Sequence, residues 1–191
     1  MRNSISVFLA TAILVVVALG CSKLALPGKV NIFEGDNALK AAAKIKEVAG
    51  SDKVRVIRAE IRKEKMVLTV QSPTNPKNID SYTYRDGTVT GPVPEKAFSF
   101  GDREMTADKY ISTEISEIGF AAIPETIKQA ITDSKVENGD VDLISMEPDL
   151  PKGGTLGDTP LVFMWRIFVE GPRGRKSLWA DKAGKLNGRA S

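Results

Sequence analysis

One pattern, a short helix followed by several strands, occurs twice in this chain and constrains its fold more than any other feature. The first copy occupies residues 35–95 and the second residues 121–191, with a connector at residues 96–120 between them. A sheet of this kind needs one covered face, and each copy supplies one helix to cover it. The sequence therefore predicts an α+β fold in which two tandem helix-plus-three-strand repeats form an antiparallel sheet with both helices on one face.

The helix of each copy is predicted from apolar residues that recur every three or four positions. The apolar face of the first helix comprises Leu39, Ala42, Ile45 (or Lys46) and Ala49. That of the second helix comprises Ile123, Ile127, Ala130 and Ile131. Gly50 is placed to end the first helix, and Pro124 suits the first turn of the second. We expect each helix to pack one side on the sheet.

The strands are predicted from the alternation of apolar and polar side chains. In the first copy they are expected at residues 54–61, 66–71 and 79–85. In the second copy they are expected at residues 141–146, 161–170 and 177–180. The alternation is interrupted near Val56 and Ile57, which indicates a β-bulge in the first strand. The connector is expected to contribute one more strand.

The first 21 residues read as an export signal that ends at the single cysteine of the chain. Arg2 precedes an apolar run of about 15 residues that extends from Ile5 to Leu19. A bilayer-spanning helix needs about 20 such residues, so residues 1–20 are predicted to be a cleaved signal peptide. Residues 21–34 have the length and composition of a tether between the cleavage site and the folded domain.

The sequence Ala18-Leu19-Gly20-Cys21 resembles the lipobox of bacterial lipoprotein precursors. The resemblance implies that Cys21 is lipidated, for example with palmitate, and anchors the mature protein to a membrane. In that family Ser22 favours the outer membrane, so the domain is expected to face the periplasm, or alternatively the cell surface. The remaining alternative is an ordinary secreted protein with one free cysteine.

The two copies also resemble PepSY domains and the tandem units of the beta-lactamase inhibitor protein family. The resemblance is architectural and depends mainly on the turns Asp86-Gly87 and Asp181-Lys182-Ala183-Gly184. It implies one concave sheet with the helices behind it, and a role in inhibiting or docking to another envelope protein.

Composition excludes several kinds of chemistry. The chain has no histidine and one cysteine, so zinc and copper sites built on those residues, thiolate catalysis and internal disulfides are not expected. The formal charge is +3, which is too balanced to indicate a nucleic-acid partner. No G-x-S-x-G or S-x-x-K motif occurs, which makes a hydrolase an unfavoured alternative. We predict no catalytic residue, no cofactor and no metal.

Aromatic residues on the predicted strands are one set of candidate binding residues. Tyr82, Tyr84 and Trp179 would be partner-binding anchors if one face of the sheet is open, because aromatic side chains are enriched at binding hot spots. Trp165 lies between Phe163 and Ile167 and is expected in the core.

The C-terminal segment is the second candidate. From Arg173 onward it has six cationic side chains and one acidic one, Asp181. Arg173, Arg175 and Lys176 could bind anionic lipid or glycan, or could simply keep a sheet edge soluble.

Acidic residues cluster near positions 137–149. Glu147 and Asp149 could be imagined as a calcium site or an acid/base pair, although their spacing fits no EF-hand, and a solvated acidic rim is the alternative. The loop at residues 152–159 is rich in glycine but lacks the ending of a phosphate-binding loop.

The expected function is that of a non-enzymatic, lipid-anchored, periplasm-facing binding or inhibitory module of the bacterial cell envelope. Its partners would be the membrane, through Cys21, and an envelope protein. The alternative is a structural lipoprotein that binds peptidoglycan or anionic lipid through its basic C-terminal edge.

We expect a Cys21→Ala variant to lose membrane association, because the thiol that would bear the acyl chains is removed. The measurement is the fraction of the protein that sediments with membranes after a high-salt wash, compared between cells expressing either form. A Cys21→Ala protein that still sediments after washing would contradict the anchor, and so would an unmodified Cys21 in the mature wild-type protein by mass spectrometry.

Overall fold

The computed structural model describes residues 29–96, 99–100, 103–104, 106–155 and 159–191. The predicted signal peptide, Cys21 and most of the tether lie outside the described residues. So does Phe98 in the connector.

Two α-helices occur in the described residues, α1 (Asn37–Ala49) and α2 (Ile123–Ser134). Gly50, as predicted, ends α1 in the left-handed conformation with φ of 66°. The prediction for α2 is also confirmed, since Ile123, Ile127 and Ala130 are buried.

The predicted apolar face of α1 needs one correction. Leu39 is 47% exposed, and the buried residues are Ala38, Ala41, Ala42 and Ile45. These four recur at i, i+3, i+4 and i+7, which is the spacing of a helical stripe. Three alanines on the stripe also let α1 approach the sheet more closely than a leucine would.

Each helix precedes four strands rather than the predicted three. After α1 come β1 (Arg55–Arg62), β2 (Lys65–Gln71), β3 (Ile79–Arg85) and β4 (Thr88–Glu95). The connector holds the two-residue strands β5 (Ser99–Phe100), β6 (Arg103–Glu104) and β7 (Thr113–Glu114). After α2 come β8 (Asp140–Asp149), β9 (Val162–Gly171), β10 (Gly174–Asp181) and β11 (Leu186–Ala190). In both cases the fourth strand follows the turn that contains aspartate and glycine.

One nine-stranded antiparallel sheet includes all of these strands except β5 and β6, which pair with each other. Its order is β11-β10-β9-β8-β1-β2-β3-β4, so the strands of the two halves meet where β1 pairs with β8. The register there sets Ala59 opposite Met146 and Ile61 opposite Ile144. Strand β7 pairs with Arg55 and Val56 at the start of β1. The predicted bulge is confirmed, because the register of β1 shifts between Val56 and Arg58.

The outer strand β4 is poorly suited to pairing with another chain. Pro92 and Pro94 lie within it and have no backbone N–H to donate to a further strand. Prolines at an edge are a common protection against strand-to-strand association.

The core lies between one face of the sheet and the two helices. Side chains from α1, α2 and the strands of both halves belong to one buried cluster, which includes Ile45, Ile61, Ile127, Ile144 and Trp165. Apolar residues alternate toward this face, as at Phe163, Trp165 and Ile167 in β9. Both helices therefore lie on the same face, and we call the other the open face.

The connector covers part of the open face. Ala107 and Tyr110 pack there on Ile57 and Ile79, which form a second, smaller apolar cluster. The backbone N–H of Ala107 donates to the carbonyl of Lys77 at 3.0 Å, which attaches the connector beside β3. The open face is therefore covered in one region of the first half.

We expect an Ile61→Ala substitution to lower the free energy of unfolding by about 2–5 kcal/mol, because it leaves a cavity at the β1–β8 pairing. Urea denaturation followed by tryptophan fluorescence measures the change. Leu39→Ala, on the exposed side of α1, is the control and should change the stability by less than about 0.5 kcal/mol. If Ile61→Ala does not fold, Ile61→Val should cost about 0.5–1.5 kcal/mol; a cost equal to that of the control would contradict the prediction.

Candidate binding surface on the open face of the sheet

The structure places Tyr82 and Tyr84 in the core, not on the open face. Both point toward α1, with exposed fractions of 3% and 4%. Burial raises the pKa of Tyr82, and the nearby Asp80 carboxylate raises it further. Neither ring is presented to a partner, so the prediction that they form an open aromatic surface is corrected. The alternation of β3 was read correctly, but sequence does not show which of the two faces the helices cover.

Trp165 is in the core, as predicted, with 1% of its surface exposed. Its ring meets Phe120 edge to face, with the centroids 5.9 Å apart. The indole Nε1–H donates to the backbone carbonyl of Lys182 at 3.3 Å, which satisfies its one donor.

Trp179 lies on the open face, but 4% of its surface is exposed because other side chains cover it. The guanidinium of Arg189 lies over its ring at 4.3 Å and that of Arg166 at 5.0 Å. The Trp179 Nε1–H donates to Asp149 Oδ2 at 2.9 Å. The ring therefore acts as a packing surface for two cations.

Arg189 connects Trp179 to the end of β8. Its Nη1 donates to Asp149 Oδ2 at 3.0 Å and to the carbonyl of Leu150 at 2.9 Å. A charge-assisted bond and a stacked ring together fix the guanidinium in one orientation.

Among the described residues, Arg166 is held by stacking on aromatic rings. Its guanidinium lies 4.8 Å from the Phe168 ring centroid as well as 5.0 Å from that of Trp179. Its Nε is buried without a hydrogen-bond partner, and among the described residues no carboxylate pairs with this guanidinium. Sequence reasoning missed this residue. The sequence feature that could have identified Arg166 is its position as the single cation within a strongly apolar strand.

A cleft of about 490 Å³ lies beside Arg166 on the open face. Its walls include Asp142, Leu143, Phe168, Glu170, Arg175 and Lys176. Arg175 and Lys176 are exposed and have no ion pair with a described residue. We call Arg166, Phe168, Trp179 and Arg189 the arginine patch; it presents positive charge beside apolar surface.

Three of the six basic side chains from Arg173 onward form ion pairs with carboxylates in the folded protein. Arg173 pairs with Glu137 at 3.8 Å, and Lys182 with Glu117 at 2.7 Å. The Lys182 ammonium holds the pKa of Glu117 below its ordinary value, with help from the Thr113 hydroxyl. The excess positive charge that the sequence shows is therefore concentrated at Arg175, Lys176 and Lys185.

Four of the five acidic residues at positions 137–149 have cationic partners, and Glu147 has none among the described residues. Asp142 pairs with Arg62, and Asp140 pairs with Lys63, across the β1–β8 pairing. The hydrogen bond from Lys63 holds the pKa of Asp140 below its ordinary value. Within the described ranges, no group of three or more acidic, cysteine or histidine side chains is placed to hold a metal ion.

A second cleft, of about 600 Å³, separates β7 from the β8–β9 hairpin. Its walls include Thr113, Pro151, Val162, Phe163 and Met164. The glycine-rich loop at residues 152–159 borders it, with residues 156–158 outside the described part. The loop leads into strand β9 and not into a helix, so it has no helix N-terminus to offer a phosphate.

No protein-family model matches the sequence, and no curated protein matches it either. Among solved structures, the chain is similar to the crystal structure of a candidate lipoprotein from Clostridium difficile 630, with a TM-score of 0.52. The similarity covers 85% of this chain and 93% of that one, at 16% sequence identity. Identity this low shows a shared α+β fold and nothing further.

Neither helix of the described ranges combines the length and the apolar character that crossing a bilayer requires.

We expect Arg189→Ala to expose the ring of Trp179, because the guanidinium that covers it is removed. In a Trp165→Phe background, where Trp179 is the remaining tryptophan, acrylamide quenching should increase about twofold or more. Arg173→Ala, in an exposed turn, is the matched control and should leave quenching unchanged. Equal quenching in both variants would show that Arg189 does not cover the ring.

Proposed function

We propose that this protein is a lipid-anchored, non-enzymatic binding module of the bacterial cell envelope. The lipobox-like Ala18-Leu19-Gly20-Cys21 supports the anchor, and the fold shared with a candidate lipoprotein is compatible with it. The domain faces the periplasm from the outer membrane, which is the membrane that Ser22 favours.

Arg166 is the observation that supports a binding role most directly. A guanidinium held between two aromatic rings has its orientation fixed before any partner arrives, so little side-chain entropy is lost on binding. Arg166 is half-buried, its Nε is buried without a hydrogen-bond partner, and among the described residues no anion pairs with its guanidinium. An acidic group of a partner would supply the missing acceptors.

The partner is an envelope protein that presents an acidic segment to the cleft beside the arginine patch. Arg175 and Lys176 extend the positive charge at the cleft, and Phe168 provides apolar contact. Glu170 and Asp142 also line it, but Asp142 is already paired with Arg62. This arrangement selects a ligand that combines a carboxylate with an apolar neighbour.

We propose that internal duplication of a PepSY-like unit gave rise to the order of the sheet. Each unit of one helix and four strands would contribute its first strand to the central pairing, β1 from one and β8 from the other. The observed order then has an approximate twofold symmetry about that pairing, which supports the duplication.

The test is site-specific crosslinking in cells with a photoreactive residue at Leu143, which lines the cleft. We expect a crosslinked protein product. Its yield should fall by a factor of about ten or more when Arg166→Gln and Arg175→Glu are combined, since each tenfold loss of affinity corresponds to about 1.4 kcal/mol of binding free energy.

Two controls define the result. The photoreactive residue at Leu39, which is 47% exposed on the helical side, should give no such product. Lys128→Glu, on α2, should leave the Leu143 product unchanged. A product at Leu143 that survives the double substitution would refute the role of the arginine patch.

A further inference from the structure

Three strand-to-strand turns lie together at one end of the sheet, where the strands terminate. These are Lys63-Glu64 between β1 and β2, Asp86-Gly87 between β3 and β4, and Pro172-Arg173 between β9 and β10. Because adjacent strands run antiparallel in the observed order, all three turns must fall on the same edge. We call it the turn edge; the loops at residues 50–54 and 72–78 lie on the opposite edge.

The N-terminal segment enters the fold at the turn edge. The backbone N–H of Ile32 donates to the carbonyl of Lys63 at 2.7 Å, and that of Val30 to Asp86 Oδ1 at 3.4 Å. Ile32 is fully buried and Phe33 is 7% exposed, so this part of the chain is fixed in the core. The chain therefore leaves the fold toward Cys21 from the turn edge, just before Val30.

Two cations on neighbouring strands face each other there. Lys65 of β2 is directly opposite Arg85 of β3 in the register. Like charges in this position repel each other and destabilise a sheet. Among the described residues neither has an ion pair, in contrast to Lys63, which is paired with Asp140. The repulsion would be relieved by an anion from outside the chain.

A cleft of about 500 Å³ beside Arg85 is lined by Lys29, Lys63 and Arg85, and Lys65, opposite Arg85 in the register, lies outside its walls. Glu64 and Asp86 line it as well, and Asp86 accepts the hydrogen bond from Val30. Lys29 and Arg85 are exposed, so their charges are available to a ligand at the surface.

The distance to the proposed anchor is short. Eight residue steps separate Cys21 from Lys29, and a fully extended chain spans at most about 29 Å over that length. The opposite edge lies about one strand length, or about 26 Å, farther from the entry point, since β1 has eight residues. Of the two edges, the turn edge is therefore the nearer one to an anchor at Cys21.

We propose that the turn edge rests on the membrane and that Lys29, Lys65 and Arg85 bind the phosphate of an anionic phospholipid headgroup. This inference depends on the proposed lipid anchor at Cys21. Cations this close to an anionic leaflet are attracted to it, and the attraction is screened by salt. The sheet then stands upright, with its open face directed sideways into the periplasm.

The test uses the mature acylated protein in phosphatidylcholine vesicles with or without phosphatidylglycerol. Lysines are labelled with an amine-reactive reagent, and the rate at each site is read by mass spectrometry. We expect the labelling rates of Lys29 and Lys65 to fall by a factor of about three or more when phosphatidylglycerol is present. High salt should restore both rates. Lys53 and Lys77, on the opposite edge, should react equally in both vesicles.

A second variant separates headgroup binding from simple proximity. In an Arg85→Glu protein the protection of Lys65 by phosphatidylglycerol should disappear, whereas Lys77→Glu should preserve it. Equal labelling of Lys29 and Lys65 in both kinds of vesicle would overturn the proposal. Failure of the anchor itself is recognised separately, because the wild-type protein would then wash off phosphatidylcholine vesicles in high salt and its Cys21 peptide would have no acyl mass.

Discussion

The antiparallel pairing of β1 with β8 is the interaction on which the rest of the structure depends. Without it each half would have a helix and a short sheet with one long unpaired edge strand, and such edges promote association between chains. With it, Ile61 and Ile144 lie opposite each other at the centre of one continuous core. The ion pairs Arg62–Asp142 and Lys63–Asp140 cross the same pairing on its solvent-exposed side.

The continuous sheet also determines which surfaces remain for function. One face is occupied by the helices, and the connector covers part of the other through Ala107 and Tyr110. In the second half the open face retains the arginine patch, where Arg189 covers Trp179 and where Arg166 is stacked with no carboxylate partner in the part of the chain that the structure describes. Packing and charge are thus combined in one place, and a rigid sheet rather than a loop supports them.

The local elements could be predicted from the sequence, because they depend on neighbouring residues. Gly50, the bulge near Val56 and the alternation around Trp165 each follow from local chemistry. The pairing of β1 with β8 depends on contacts between residues far apart in the chain, and so does the burial of Tyr82 and Tyr84. The pairing of Asp149 with Trp179 and Arg189 could not be predicted for the same reason, since it joins residues 30 and 40 positions apart.

The position of Ile32 has a mechanical consequence. Its bond to Lys63 joins the N-terminal segment to the turn between β1 and β2, near the middle of the sheet, and the bond from Val30 to Asp86 joins the segment to the turn between β3 and β4. A pulling force on that segment is therefore distributed over hydrogen-bonded neighbours on both sides. Detaching an outer strand would break its bonds one after another, whereas extracting a central strand requires several to break at once. We therefore expect the domain to stay folded when a force is applied through its N-terminal segment.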